Sequence, residues 1–336
     1  MQHVLVTGAT GLLGSHIAEL LLERGCNVRA LVRNVEGANW LGQLGVDLHA
    51  GDILDAESFT RAARGCDVIF HAAAAVTPRG GWEEFRSINV GGARNAVSAA
   101  EGSGARLVQV SSVAVYGAAA RYGAAPTDED TPLAELPEGA LYPRSKRESE
   151  LLVLEAHAAG RIWATAVRPD VIYGERDRQF VPRIARLLRF GVAPLPGGGR
   201  SVLPIVHAAN VANGALLAAT SDAAGGRPYN LANDFDVTAR EFVGLAGKGL
   251  GTRVRIVAVP EAAARAGVRT ARTFLSVAAR SPAVAQMAGA TVDFLTRGNP
   301  FSSERAKREL DWSPSMRPGT GVPAAFRWWK RNGGQP

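Results

Sequence analysis

The chain has 336 residues, 46% of them hydrophobic, and 38 basic against 31 acidic side chains give it a net charge of +7. The charges are interspersed, and no stretch reaches the roughly 18 apolar residues of a membrane-spanning helix, so composition argues against a nucleic-acid partner and a membrane span. The two cysteines, Cys26 and Cys66, have neither metal-ligand nor redox spacing. We therefore expect no metal site, and a soluble protein in the reducing cytoplasm.

Short β-branched runs alternate with helical segments through the first half of the chain. The sequence predicts strands at HVLVTG, NVRALVR, VDLHAGD, DVIFHAA, RLVQVSS and IWATAVRP, with amphipathic segments such as GLLGSHIAELLLERG between most of them. Near-continuous apolar strands joined by helices are typical of a parallel sheet covered on both faces. The predicted fold is a doubly wound α/β domain, which binds ligands at the carboxyl ends of its strands.

Beyond residue 173 this alternation loosens. PLPGGGRSVLP predicts a loop, VHAANVANGALLAAT a helix and RPYNLAN a short strand, and the last hundred residues predict mostly helix. We expect a dinucleotide-binding domain over residues 1–173, to which residues 205–234 return, and a smaller, interleaved substrate lobe of residues 174–204 and 235–336. The segment VRTARTFLSVAARSPAVAQMAGATVDFL fits either a helical lid over a pocket or a pair of core helices.

A glycine-rich segment joins the first predicted strand to the first helix. It places Gly8, Gly11 and Gly14 in GxxGxxG spacing. Glycines let the backbone approach a pyrophosphate, and a helix opening at Leu12 and Leu13 presents unpaired N–H groups to it. A plain turn is the alternative, but the strand and helix on either side favour a dinucleotide-binding loop.

The end of the second predicted strand indicates which dinucleotide binds. In dinucleotide-binding folds an acidic residue there bonds the ribose 2′-hydroxyl. Here the position is Val32, followed by Arg33. No carboxylate repels a 2′-phosphate and a guanidinium is available to bind one, so the sequence favours NADP, with NAD possible. The alternative is that Arg33 is a solvated loop arginine.

Two later strand ends are expected to line the cofactor site. Asp52 and Ile53 follow the third strand, where an adenine would lie. Ala72 and Ala73 follow the fourth strand, where small side chains let a cofactor lie against the backbone.

Tyr142 and Lys146 are four residues apart at the start of the polar stretch LYPRSKRESE. Residues at this spacing share a helix face, so the ammonium would lie near the phenol and help it exchange a proton near neutral pH. The alternative is that the tyrosine ring packs on the domain while the lysine points into water.

Ten segments in this order resemble an extended short-chain dehydrogenase/reductase: TGATGLLG, GDILD, HAAA, NVGGARN, VQVSSVAVYG, YPRSK, RPDVIYG, VHAANVA, YNLAN and AKRELDWSP. The resemblance covers nearly the whole chain. It implies a catalytic group of Ser112, Tyr142 and Lys146, with Asn89 supporting the lysine through water. It also places Tyr142, Lys146, Pro169 and Val171 beside the cofactor, and it implies a homodimer formed through a four-helix contact.

The chemistry that this resemblance implies is hydride transfer between a nicotinamide ring and a carbinol or carbonyl carbon. The ammonium and the oxidised ring would lower the phenol's pKa from about 10, so that Tyr142 acts as acid or base. Ser112 would bond the substrate oxygen, and Lys146 would also hold the nicotinamide ribose.

Three departures from the family narrow the substrate. Nucleotide-sugar enzymes have an asparagine where this chain has Val171 and an arginine where it has Leu203, so two partners for a diphosphate are missing. Dehydratases follow the active-site hydroxyl residue with Asp-Glu, whereas Val113 and Ala114 follow Ser112. The closest branch contains 3β-hydroxysteroid dehydrogenases and dihydroflavonol-reductase-like enzymes, whose substrates are largely apolar ketones or secondary alcohols.

Two other functions compete with this one. The first is a nucleotide-sugar 4-epimerase that binds its diphosphate through other arginines, such as Arg200. The second is a non-catalytic NADP-sensing regulator, against which the intact catalytic group counts.

Three arginines recur at every third residue in RDRQFVPRIARLLRFG, at Arg183, Arg186 and Arg189. This spacing predicts one side of a helix. A solvated face is the favoured interpretation, and a site for an anionic handle, such as the phosphate-bearing carrier of an acyl thioester, is the alternative.

Overall fold

The structure, a computed structural model, describes residues 1–76, 80–120, 125–232, 234–267 and 291–333. The strands are β1 (His3–Thr7), β2 (Asn27–Val32), β3 (Asp47–Ala50), β4 (Val68–His71), β5 (Arg106–Val110), β6 (Ala164–Pro169), β7 (Val171–Tyr173), β8 (Val192–Pro196), β9 (Ile205–His207), β10 (Pro228–Leu231) and β11 (Arg255–Val259). All six strands predicted in the first half are present, and RPYNLAN contains the predicted short strand.

Helices alternate with these strands. They are α1 (Leu12–Glu23), α2 (Asn39–Gln43), α3 (Ala56–Ala63), α4 (Gly81–Phe85), α5 (Gly92–Ser103), α6 (Leu141–Ala158), α7 (Phe180–Leu188), α8 (Ala208–Thr220), α9 (Ala239–Leu250), α10 (Glu304–Leu310) and α11 (Pro318–Arg331). Residues 261–267 and 291–296 are also helical. Among the described residues, no helix is both long and apolar enough to cross a bilayer.

The central sheet has seven strands in the order β10-β6-β5-β4-β1-β2-β3, and every pairing in it is parallel. Alternate residues of its strands are buried on opposite faces. Val4 and Val6 pack with α1 and α8, whereas Leu5 packs with α3 and α5. The fold is therefore the predicted doubly wound α/β architecture. The strand order reverses between β1 and β4, and in such sheets this crevice is where ligands bind.

A third core joins the segments that follow β6. Tyr173, Phe242 and Phe326 pack in it, and ring contacts link Phe242 to each of the other two. Two short parallel sheets, β7 with β9 and β8 with β11, border this core.

Where the structure describes the last hundred residues, most of them are helical, as predicted, and the predicted Gly/Pro loop is only partly correct. The first three residues of the segment predicted as a Gly/Pro loop, 194–196, belong to the end of β8, in which Ala193 and Leu195 are buried while Val192 and Pro194 face outward. The last hundred residues include β11, whose alternating run RIVAV pairs with β8 along its whole length. The segment expected to be a lid or a core helix pair lies mostly outside the described residues, which resume at residue 291.

Candidate active site

The glycine-rich loop follows β1 and packs against the end of β4. Gly8 has a φ of +70°, and a Cβ added to it would lie 2.7 Å from the main-chain nitrogen of Ala73. A Cβ on Gly14 would lie 2.2 Å from the carbonyl oxygen of Gly8. A side chain at either position would therefore displace backbone, which explains the glycines on steric grounds alone.

The helix after this loop opens without a side-chain cap. Gly11 is the N-cap residue in extended conformation, and no described side chain caps the N–H groups of the first turn, which begins at Leu12 and Leu13. The amide of Gly11 itself bonds the carbonyl oxygen of Gly8 at 2.9 Å, which closes the loop. Unpaired N–H groups at a helix N-terminus attract phosphate, so this end of α1 suits a pyrophosphate.

Arg33 lies one residue beyond β2 and is exposed. It forms no hydrogen bond or ion pair with any residue that the structure describes. Asp52 is half-buried, and its Oδ1 accepts from the amide of Leu54 at 2.9 Å, so the carboxylate stabilises its own turn. Ile53 packs against Gly92, where an added Cβ would lie 2.8 Å from the Ile53 Cδ1 atom.

The end of β4 is tied to the end of β1. Thr7 Oγ1 and His71 Nδ1 are 2.8 Å apart, and the amide of Ala73 donates to Thr7 Oγ1 at 3.3 Å. Burial lowers the pKa of His71 to about 3, so its ring is neutral near pH 7. Ala72 and Ala73 are half-buried beside the glycine loop, as expected for small residues at this strand end.

Tyr142 and Ser112 come together at the carboxyl end of the sheet. Ser112 follows β5, Tyr142 lies in the first turn of α6, and the Ser112 hydroxyl is near enough to the phenol to act on its pKa. Burial raises the pKa of the Tyr142 phenol and outweighs the effect of the Ser112 hydroxyl, which acts to lower it. The sequence-based expectation was a lowered pKa; the groups of the chain itself give the opposite sign, because desolvation disfavours the phenolate.

Lys146 is buried one turn further along α6. Its Nζ donates to the main-chain carbonyl of Val110 at 2.5 Å, at the end of β5. Burial lowers its pKa to about 8, against the opposing effect of the Glu150 carboxylate. Tyr142 and Lys146 are both on α6 at the predicted four-residue spacing, but the charge of Lys146 is not among the causes that shift the pKa of the phenol. The alternative that the lysine points into water is wrong.

Asn89 lies in a π-helical turn, residues Arg86–Gly91, between α4 and α5. Its amide holds the loop after β4: the amide of Ala75 donates to Oδ1 at 2.7 Å, and Nδ2 donates to the carbonyl of Ala75 at 3.1 Å. Nδ2 also donates to the Ser145 hydroxyl at 2.9 Å. Asn89 thus joins the β4 loop to α6 beside Lys146, and its support of the lysine through water stays a prediction.

Pro169 ends β6, and Val171 begins β7. Between them lies Asp170, whose Oδ1 accepts from the amide of Val171 at 2.8 Å while its buried Oδ2 has no hydrogen-bond partner. Burial raises the pKa of this carboxyl well above its usual range. Sequence reasoning overlooked Asp170, although a carboxylate directly after an apolar strand was the available signal.

A buried ion pair lies behind the site. Arg168 of β6 donates from Nε and Nη2 to the Glu150 carboxylate, at 2.5 Å for the shortest contact, and both side chains are almost fully buried. Arg168 also donates to the Tyr116 hydroxyl at 2.8 Å, which in turn donates to Asn230 at 2.9 Å. Glu150 is four residues after Lys146, so this network fixes the helix that carries the catalytic candidates.

An arginine in the segment after β7 contacts the glycine loop. Arg178 is exposed, and its Nη2 reaches the carbonyl oxygen of Thr10 at 3.4 Å. Its neighbour Arg176 donates to Ser15 on α1 at 2.8 Å. These arginines belong to the charged run ERDR, but nothing in the spacing of that run predicts a contact with the glycine loop.

Comparison with known proteins identifies the family. The family model for the NAD dependent epimerase/dehydratase family matches residues 4–232. The chain belongs to this family. It shares 34% identity over 316 residues with a 4-hydroxy-2-methyl-3-oxo-4-farnesyl-3,4-dihydroquinoline-1-oxide ketoreductase of Stigmatella aurantiaca, covering 93% of this chain and 92% of that protein.

Two further relatives agree with this membership. A 2-alkyl-3-oxoalkanoate reductase of Stenotrophomonas maltophilia is 32% identical over 249 residues, which is 71% of this chain and 73% of that protein. The crystal structure of gox2253 superposes with a TM-score of 0.78 at 26% identity and covers 100% of both chains. The family resemblance drawn from the ten segments is confirmed, and the chain is an NAD(P)-dependent oxidoreductase acting on CH–OH groups.

The described residues fit a nicotinamide dinucleotide. The loop at Gly8 and Gly14 leaves room for phosphates against the backbone, and the uncapped N-terminus of α1 supplies unpaired N–H groups. Ser112, Tyr142 and Lys146 lie at the carboxyl end of the same sheet, where the sequence resemblance predicts the nicotinamide half.

Proposed function

We propose that the protein is an NADP-dependent ketoreductase that interconverts a ketone and a secondary alcohol on a largely apolar substrate. The observation that carries this proposal is that the Ser112 hydroxyl, the Tyr142 phenol and the buried Lys146 lie together at the carboxyl end of the sheet. A phenol, a hydroxyl and an ammonium at the carboxyl end of one sheet can bind and protonate a carbonyl oxygen.

Each residue has a separate role in this mechanism. The bound nicotinamide supplies the hydride. Tyr142 donates the proton to the substrate oxygen, and its raised pKa favours the protonated phenol that reduction requires. Ser112 donates a hydrogen bond to the same oxygen as negative charge develops there. Lys146, held by Val110, binds the nicotinamide ribose, and Asn89 fixes the loop that packs against α6.

The apolar substrate is supported by two positions and by the relatives' names. Val171 is half-buried at the start of β7, and Leu203 is buried in the third core, so neither offers a partner to a diphosphate. The Stigmatella relative is named for a farnesyl-bearing 3-oxo compound and the Stenotrophomonas relative for 2-alkyl-3-oxoalkanoates. We infer a substrate with a ketone next to a hydrocarbon chain or ring system.

The preference for NADP rests on one arginine at the end of β2 and a second one at the glycine loop. Arg33 is exposed at the end of β2 without a partner among the described residues, and Arg178 reaches the loop at Thr10. Guanidinium groups bind phosphate through bidentate, charge-assisted hydrogen bonds. Together they would stabilise a 2′-phosphate.

The remaining organisation is also a proposal. We assign substrate binding to a lobe of residues 174–204 and 235–336, and cofactor binding to residues 1–173 with 205–234. We expect a homodimer through the helix that bears Tyr142. Both cysteines are buried and unpaired, which agrees with a cytoplasmic location.

The test is a panel of steroid, flavonoid and β-keto acyl ketones, followed through nicotinamide absorbance. Calorimetric titration of UDP- and dTDP-sugars into the NADP-loaded protein runs beside it. We expect turnover of at least one apolar ketone with NADPH and no binding of the sugars. Micromolar binding or epimerisation of a nucleotide sugar would contradict the substrate assignment and favour the epimerase.

A further inference from the structure

Four large apolar side chains are exposed together in the second half of the chain. Leu187, Phe190, Val192 and Val257 are between 40% and 74% exposed, and we call them the apolar patch. Leu187 and Phe190 are three residues apart, at and just beyond the end of α7, so they share one side of it. Val192 begins β8, which pairs with β11, the strand that carries Val257.

The two chain segments that carry the apolar patch are basic, and the nearest carboxylate beyond them in the chain is Glu261, which lies beside Gly197. Residues 180–200 and 250–259, which contain the whole patch, include no aspartate or glutamate. They include six exposed arginines: Arg183, Arg186, Arg189, Arg200, Arg253 and Arg255. Arg189 stacks 4.4 Å above the ring of Phe190, and Arg255 lies opposite Val192 in the β8–β11 register.

Helix α7 presents this composition along one face. Arg183, Arg186, Leu187 and Phe190 are at positions i, i+3, i+4 and i+7, which superpose on one side of a helix. The opposite side is buried, because Val181, Ala185 and Leu188 belong to the third core. The exposed side is therefore a basic and apolar surface, on which Arg183 also donates to Thr291 Oγ1 at 3.1 Å.

Isolated exposed apolar residues are ordinary, but an aromatic and three aliphatic side chains on segments that also carry six exposed arginines indicate a recognition surface. We propose that the apolar patch and its arginines dock the protein on the surface of an anionic lipid bilayer. Apolar side chains insert at the boundary between headgroups and acyl chains, and arginines bind the anionic headgroups. Two copies meeting through this face would bring like charges together, which disfavours a symmetric dimer here.

Bilayer docking goes beyond the proposed function and does not depend on it. It concerns a surface, not a spanning helix, and each arginine near an anionic membrane adds modest binding energy, so attachment is reversible. If the substrate is as apolar as we propose, docking would place the substrate lobe next to the phase in which such a molecule dissolves.

The test is co-sedimentation of the full chain with vesicles of phosphatidylcholine alone and of phosphatidylcholine mixed with phosphatidylglycerol. We expect binding to the mixed vesicles only, and its loss at high salt, where surface charges are screened. Arg255→Glu should weaken binding at least about fivefold, the effect of one basic residue at such a surface. Phe190→Ser should weaken binding about tenfold through lost apolar burial.

Two matched variants on the first lobe serve as controls. Leu44 is 48% exposed and Arg64 is exposed, and neither is part of the patch. Leu44→Ser and Arg64→Glu should bind the mixed vesicles like the wild type, and all four variants should keep wild-type NADPH affinity, which shows that they fold. Equal binding to both vesicle types, or no binding by the wild type, overturns the proposal. So does a wild-type dimer that ignores vesicles and becomes monomeric in Phe190→Ser.

Discussion

Lys146 donates a hydrogen bond from its ammonium group to the main-chain carbonyl of Val110, the last residue of β5. This contact fixes the charge at the carboxyl end of the central sheet. The ammonium is buried at this position, and burial lowers the pKa of Lys146 to about 8. The lysine therefore titrates within the pH range of ordinary assays, whereas the neighbouring Tyr142 phenol, whose pKa is raised, stays protonated there.

This difference predicts a pH-dependent affinity for the cofactor. Below pH 8 the ammonium is charged and can hold the ribose, and as the pH rises through about 8 that charge is lost. The dissociation constant of NADPH should therefore increase about tenfold between pH 7 and pH 9.5, the effect of losing one charged hydrogen bond. Fluorescence titration of NADPH across this range measures it.

Lys146→Arg is the matched variant, because a guanidinium keeps its proton at every pH tested. It should bind NADPH more weakly but with a flat pH profile. A wild-type affinity that is constant to pH 9.5 would contradict the lysine's role.

Tyr142→Phe removes the proton donor and should leave the cofactor in place. We expect kcat to fall by about 100-fold or more, as is usual when a general acid is removed. The dissociation constant of NADPH should stay near the wild-type value, because Lys146 is held by Val110 and not by the phenol. Steady-state kinetics and fluorescence titration separate the two effects. A variant that keeps more than about a tenth of wild-type kcat would exclude Tyr142 as the acid.

Much of the fold follows from the sequence because local patterns decide it. The strand HVLVT, the glycine loop and the amphipathic α1 each carry their own signal, and β1 to β6 lie where the β-branched runs predict them. The strands β8 and β11 were harder, because among the described residues each pairs only with the other, 63 positions away in the chain. Proline and glycine around β8 also suggested a loop.

In the candidate site, too, local sequence predicts some features, whereas features that depend on distant residues are not predictable from it. The spacing of Tyr142 and Lys146 is local, and the family motif predicts their role. The sign of the phenol's pKa shift was not predictable, because it depends on burial, which many distant residues determine together. Asp170 was missed for a related reason: its unpartnered Oδ2 atom is visible only when the surroundings of the carboxyl are known.

The buried pair of Glu150 and Arg168 should contribute strongly to stability. Glu150→Ala leaves the Arg168 guanidinium buried without its carboxylate, and breaking a buried pair in this way typically costs about 3–5 kcal/mol. Glu148, two residues earlier on α6, pairs with Arg86 at the surface. Glu148→Ala should cost less than about 1 kcal/mol. Urea denaturation of both variants gives the comparison, and equal free energies of unfolding would contradict it.

Asp170→Asn should stabilise the protein increasingly as the pH rises. The folded-state pKa of Asp170 is raised, so its favourable contribution is complete below the unfolded-state value near 3.8 and is lost as the pH rises through the folded-state value. Asparagine has no charge to bury. The melting temperature of Asp170→Asn should therefore exceed that of the wild type by a margin that grows from pH 4 upward.

Asp222 provides the control for this measurement, because its side chain is 87% exposed. Asp222→Asn removes a carboxylate that is not buried, so it should not reproduce the stabilisation expected of Asp170→Asn. A constant difference between Asp170→Asn and the wild type at all pH values would show that Asp170 ionises normally in the folded protein.

Arg33 should decide between the two nicotinamide dinucleotides. It lies directly after Val32, where a carboxylate that selects NAD would otherwise be, and no described residue pairs with it. Arg33→Ala should raise the KM for NADPH about tenfold or more, since a charge-assisted hydrogen bond to phosphate is lost. Its kcat should change little, because the 2′-phosphate is remote from the hydride. KM for NADH should be unchanged.

The control is Arg24, an exposed arginine at the C-terminal end of α1. Arg24→Ala should change neither the KM for NADPH nor the KM for NADH. Initial rates with both cofactors provide the test, and equal kcat/KM for NADH and NADPH in the wild type would refute the preference for NADP.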